Sequence, residues 1–153
     1  SMNNGLVLRT NIIGWTQEDK TSFAEWVLNR LNENKPLNLF YDVYFSPLNV
    51  SDLSYIIERI IEKPIVGLYH CGSRDNISKY DFGKKMAKIF NLSDSNINRV
   101  SIDNIDFKAK RPKNMALNSN KLSDKLQYDI PSATDSIIHM KNQYDTQLKN
   151  TII

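Results

Sequence analysis

A nearly continuous apolar run close to the start of the chain, Leu6-Val7-Leu8 followed by Ile12-Ile13, limits the possible folds more than any other feature. Unbroken apolar stretches of this kind mark strands of parallel sheets, which helices cover on both faces. Such a strand normally sits between other strands, so the chain is expected to begin within a fold. Ser1 and Met2 are expected to be a cloning scar, with residues 3–153 forming one domain. A second short run, Val66 to Cys71 closed by Gly72, has the same buried character.

Between and after these runs the period changes to that of helices. Phe23, Trp26, Val27 and Leu31 repeat at three- and four-residue steps, with Asp19 or Thr21 as the expected cap and Pro36 as the stop. Leu37 to Tyr41 and Val43 to Phe45 predict short strands, interrupted by Asp42 and ended by Ser46-Pro47. Ser51 is the expected cap of a second helix carrying Leu53, Ile56, Ile57, Ile60 and Ile61, and Ser78 caps a third carrying Phe82, Met86, Ile89 and Phe90. Val100 to Ile102 predicts a strand, Phe107 to Ala116 an irregular basic loop, and helices follow near Ser119 to Leu126 and from about Thr134. The Trp26, Ile57 and Phe90 stripes are expected in the core. Alternating strands and helices make the class α/β.

Composition narrows the function by exclusion. With 20 Lys plus Arg against 17 Asp plus Glu, the net charge of +3 is too mild and too scattered for a dedicated nucleic-acid binder. No apolar run approaches the roughly 20 residues needed to cross a bilayer. The single cysteine, Cys71, rules out an internal disulfide and any multi-cysteine zinc site, and fits a reducing cytosol. No secretory leader opens the chain, so a cytoplasmic location is expected. His70 and His139 stand too far apart to begin a metal site, and His139 has no evident partner. Cys71 and His70, as neighbours on a strand, point to opposite faces and make no nucleophilic pair.

The order of signals resembles a known family. Leu8-Arg9-Thr10-Asn11 closes a strand, then come a helix, Asp42 with Ser46-Pro47, and Val50-Ser51-Asp52-Leu53 opening another helix. Gly67-Leu68-Tyr69-His70, Ile77-Ser78-Lys79-Tyr80-Asp81-Phe82, Arg111-Pro112-Lys113-Asn114-Met115-Ala116-Leu117-Asn118 and Lys121-Leu122 follow. This series, from about Leu6 to Leu126, resembles the C-terminal half of extended short-chain dehydrogenases, in particular the dTDP-4-dehydrorhamnose reductase branch. The resemblance implies a substrate-binding half that holds a nucleoside-diphosphate 4-keto-6-deoxy sugar, as in rhamnose biosynthesis. It also implies an N-terminal Rossmann half, absent from this chain, that binds NAD(P)H and supplies the catalytic Tyr.

The residues agree with that division. The five glycines, Gly5, Gly14, Gly67, Gly72 and Gly83, do not make the fingerprint that lets a pyrophosphate reach a helix N-terminus. No cofactor is therefore expected on this chain, and neither a catalytic residue nor a metal ligand. Tyr80 and Lys84 have the spacing of a catalytic Tyr-x-x-x-Lys pair, but no glycine loop precedes them, and the expectation is a packed Tyr80 and a solvated Lys84.

Six residues are the candidates for substrate contact. Arg111 offers a planar fork of donors suited to a diphosphate, with Lys108 and Lys110 adding positive potential; the alternative is a solvated basic loop. The resemblance places Asn114 near the same phosphates or the ribose. Asn11 ends the first strand, and α/β proteins bind ligands at the carboxyl ends of strands. Trp15 is a candidate for stacking on a sugar or base. The resemblance puts Ser46 and Asn49 on the substrate-facing loop. The expected function is sugar-nucleotide binding without reductase activity in the chain alone. The alternatives are a non-catalytic binding or regulatory relative, and a small unrelated binding module. An unpaired apolar strand predicts self-association, as a dimer or larger oligomer.

Overall fold

A computed structural model describes residues 5–16 and 20–151, the last four by backbone alone. Asp19, and Ser1 and Met2, the expected scar, lie outside the described residues. The class is α/β, as the alternating pattern predicts.

The apolar run is two strands rather than one. β1 (Leu6–Arg9) and β2 (Asn11–Ile13) are separated at Thr10, where the chain changes partner. α1 (Phe23–Asn32), β3 (Leu37–Phe40), β4 (Tyr44–Phe45) and β5 (Pro47–Asn49) follow, and then α2 (Val50–Glu62), β6 (Gly67–His70), β7 (Ile77–Ser78) and α3 (Lys79–Ile89). After β8 (Ile97–Val100), a single helical turn at Ile102–Asn104 leads to β9 (Asn114–Met115), α4 (Asn120–Leu126) and α5 (Ala133–Thr151). β1 pairs in parallel with β6, β2 with β5, and β3 with β8, while β4 lies between antiparallel β7 and parallel β9.

Two cores hold these elements. One gathers α1, α3 and α5 around β3, with Phe82, Leu37, Val27, Ile137 and Met140 fully enclosed. The other sets α2 and α4 against β1 and β6, through Ile56, Leu122, Tyr69 and Leu8. The β1–β6 pair is not fully covered: Leu6 and Leu8 pack inward, while Leu68 of β6 and Val66 just before it remain 43% and 57% exposed. The expectation of burial on both faces is therefore corrected.

Local chemistry explains the other shifts. α1 is capped by Ser22, not by Thr21, because Ser22 and Glu25 form a reciprocal capping box. Asn49 rather than Ser51 caps α2, its Oδ1 accepting the Ser51 N–H at 2.8 Å. The strand expected at Val100 to Ile102 ends at Val100, since the Ile102 N–H donates to Asp42 instead of to a ladder. Ser78 caps α3 as expected. Trp26 and Ile57 are 40% and 42% exposed, so only Phe90 of the three expected core aromatics and aliphatics is buried. Among the described residues no helix is long and apolar enough to cross a membrane.

Candidate functional site

The centre of interest is the loop from residue 101 to 113 and the strands it rests on. Asp42 anchors it from the turn after β3, accepting hydrogen bonds from the Ser101 hydroxyl (2.7 Å) and the Ile102 N–H (3.0 Å). Lys113 closes the far end, bridging Asp42 at 3.1 Å and Asp103, while its carbonyl accepts the Tyr44 N–H at 2.8 Å. Burial pushes the Asp42 carboxyl upward, but these donors outweigh it and hold the pKa at about 2. The loop is thereby fixed at both ends and bows outward between them.

Two neighbouring cavities border this loop. The outer one, about 760 Å³, is open and of mixed charge, with Lys110, Arg111 and Lys113 in its wall beside Asp103, Asp106, Ile105 and Phe107. The inner one, about 360 Å³, is lined by Phe23, Trp26, Phe40, Met115 and Lys79. Arg111, Ile102 and Pro112 border both. Small-ligand sites commonly run from about 300 to 1,000 Å³ and are mostly apolar with a few convergent polar groups. The Arg111 guanidinium carbon lies 4.9 Å from the Phe107 ring centre, and Phe107 meets Phe40 edge-on. The Lys79 ammonium sits between two ring faces, 3.4 Å from the centre of Phe45 and 3.8 Å from that of Phe23. Burial lowers its pKa to about 8.

The six candidates separate into three places. Arg111 and Asn114 lie on the loop and on β9, both exposed, and Asn114 Oδ1 accepts the Ala116 N–H at 3.0 Å. Asn11 does not end the first strand as expected but opens β2, because the chain changes partner at Thr10; it meets Ser46 just before β5, where Asn11 Oδ1 accepts the Ser46 N–H at 3.2 Å. Ser46 is enclosed and exchanges hydrogen bonds with the backbone of Leu117, and Asn49, also enclosed, caps α2. Beside Asn11, the Thr10 hydroxyl is buried without a hydrogen-bond partner. Trp15 packs away from both groups, stacked on Tyr144 with its indole N–H donating to the Met140 carbonyl at 3.3 Å.

Tyr80 packs against the first core and Lys84 pairs with Asp94, so neither faces the cavities. Cys71 is fully enclosed, and burial raises its thiol to about 11. His139 does have a partner, Asp52, whose Oδ1 lies 2.7 Å from Nδ1. Trp26, Phe40 and Lys79 line the inner cavity although the sequence marked none of them as a site residue. One signal for Lys79 was available: it places a cation in the first turn of a helix, beside the positive end of the dipole.

Comparison with known proteins fits this geometry. The RmlD substrate binding domain family matches residues 1–146. The dTDP-4-dehydrorhamnose reductase of Bacillus anthracis str. Ames, solved with NADP, superposes with a TM-score of 0.80 at 23% identity, covering 90% of this chain and 48% of that one. The Clostridium acetobutylicum dTDP-4-dehydrorhamnose reductase ortholog gives 0.78 at 20% identity, covering 92% and 49%. A Haloferax volcanii protein, the "Probable low-salt glycan biosynthesis reductase Agl14", is 20% identical over 137 residues, 88% of this chain and 46% of its own. The chain thus spans about half the length of the proteins it matches. By that match it belongs to the RmlD substrate binding domain family.

Proposed function

We propose that this chain is the part of an NAD(P)H-dependent reductase that holds a nucleoside-diphosphate 4-keto-6-deoxy sugar. The observation that carries the reading is Arg111, which has no carboxylate partner among the described residues and lines both an open, mixed-charge cavity and a more apolar one. A nucleoside diphosphate has a comparable division, with charged phosphates at one end and, across the ribose, a flat base whose faces stack on apolar side chains. Arg111 offers the phosphates a fork of donors, Lys110 adds charge, and Asn114 flanks the loop on β9. The sugar then extends toward the strand ends, where Asn11 and the unpartnered Thr10 hydroxyl lie.

The residues present do not fit a dinucleotide. Among the described glycines only Gly67 has a positive φ, 109°, and it opens a strand rather than a strand-to-helix turn. In this reading the cofactor and the acid–base pair come from a separate Rossmann half, seated on the exposed side chains of Val66 and Leu68. The chain's own contribution is orientation of the substrate, and it has no reductase activity alone.

Calorimetric titration with dTDP and with UDP tests this. Both diphosphates are expected to bind, NADPH is not, and Arg111→Ala is expected to weaken the diphosphates by about 10- to 100-fold, the loss of one charge-assisted hydrogen bond of about 1.5–3 kcal/mol. Diphosphate affinity unchanged in Arg111→Ala, or tight NADPH binding, would contradict the reading.

A further inference from the structure

Between Ile102 and Ala116 one side chain, that of Phe107, is not exposed. The polar contacts that fix this loop lie at its ends, on Ser101, Ile102 and Lys113. Among the described residues, none of residues 106–112 makes a hydrogen bond, and Asp106, Lys108, Lys110 and Arg111 make no ion pair. A stretch of this kind opens easily unless apolar contacts hold it down. The ring contact that holds it is Phe107 on Phe40 of β3, edge-on, with centres 6.2 Å apart.

The same ring carries Arg111, whose guanidinium carbon lies 4.9 Å from its centre. A carboxylate partner would neutralise Arg111 and occupy its donors. An aromatic ring attracts the cation through its face and leaves the N–H donors, which lie in the guanidinium plane, unspent. Phe107 and Arg111 both border the outer cavity, so the stacked guanidinium stands at its wall with its donors free. Resting on the reading above, we propose that Phe107 is a positioning residue for the diphosphate. It pins residues 106–112 onto Phe40 and holds Arg111 in place, acting through that side chain rather than on the phosphates.

The test uses the whole chain, with UDP binding followed by calorimetry and trypsin cleavage followed by mass spectrometry. Leucine keeps an apolar side chain against Phe40 and removes the ring face, whereas tyrosine keeps the face. Phe107→Leu is expected to weaken UDP by about three- to tenfold with its thermal midpoint unchanged, and Phe107→Tyr to bind as the parent does. In a chain already carrying Arg111→Ala, Phe107→Leu is expected to cost nothing more, because the two residues act as one unit. Without any ligand, trypsin is expected to cut after Lys108 and Lys110 several-fold faster in Phe107→Ala than in the parent. The same loss from Phe107→Leu with and without Arg111 would overturn the inference while leaving the diphosphate reading intact. Unchanged UDP affinity in Phe107→Leu, or equal cleavage of Phe107→Ala and the parent, would also overturn it. Failure of the parent to bind UDP would remove the diphosphate reading and the positioning role with it.

Discussion

Asp42 shows how one residue positions a site without touching a ligand. Its carboxylate joins Ser101, Ile102 and Lys113, and so sets where Arg111 hangs between them. Its folded pKa of about 2 lies below the ordinary Asp value of about 3.9. The carboxylate therefore stabilises the fold fully above about pH 4, and that contribution fades as pH falls toward 2. Asp42→Asn is expected to flatten the dependence of the thermal midpoint on pH in that window. A variant that keeps the parent's acid slope would show the network is not holding the loop. Of these residues, Arg111 was legible from the sequence because its chemistry points to one ligand class. Lys79 and Trp26 were not, because a helical stripe three to four residues wide does not say which of its edges another element will leave open. Trp26 fits the core pattern of α1 and still ends up in the wall of a cavity.

At the scale of elements, α2 and α5 are joined by a polar contact that is buried on the α2 side and partly open on the α5 side. Asp52, in the first turn of α2, meets His139 Nδ1 at 2.7 Å and the Ser136 hydroxyl at 3.3 Å, both on α5. Removing the carboxylate leaves those groups without their partner, so Asp52→Ala is expected to cost about 1–3 kcal/mol, read as a lower urea midpoint with an unchanged slope. No change would mean that solvent satisfies His139 and Ser136 equally well. A second close contact lies between elements at Gly72, where an added Cβ would stand 2.8 Å from the Ser46 carbonyl and 2.9 Å from its Cβ. Gly72→Ala is expected to destabilise by about 1–3 kcal/mol, as overpacking does, in the same urea titration. Helices were legible here, since their period, Ser78 and the prolines all agree. The division of the first run at Thr10 was not, because nothing local to residues 6–13 records that β6 and β5 take different parts of it.

For the whole molecule, the unbalanced feature is the apolar side chains that Val66 and Leu68 expose at β6. Neighbouring apolar side chains left open on a strand edge or sheet face favour association. The chain by itself is expected to form dimers or larger species at high micromolar concentration by light scattering, and Leu68→Lys to shift it toward monomer. A parent that stays monomeric would contradict this. The α/β class and the family were legible because the ordered signals span most of the chain. The cavities were not, since they arise where a loop, β3, β9, α1 and the start of α3 converge from distant parts of the sequence.

The most direct test of the central claim is amide and indole shift mapping by NMR while UDP is added to the isotope-labelled chain. The account predicts that the largest shifts fall on the Trp26 indole, Phe40, Lys79, Arg111 and Met115, around the two neighbouring cavities. Shifts confined to other surfaces, or no shifts at saturating UDP, would contradict it.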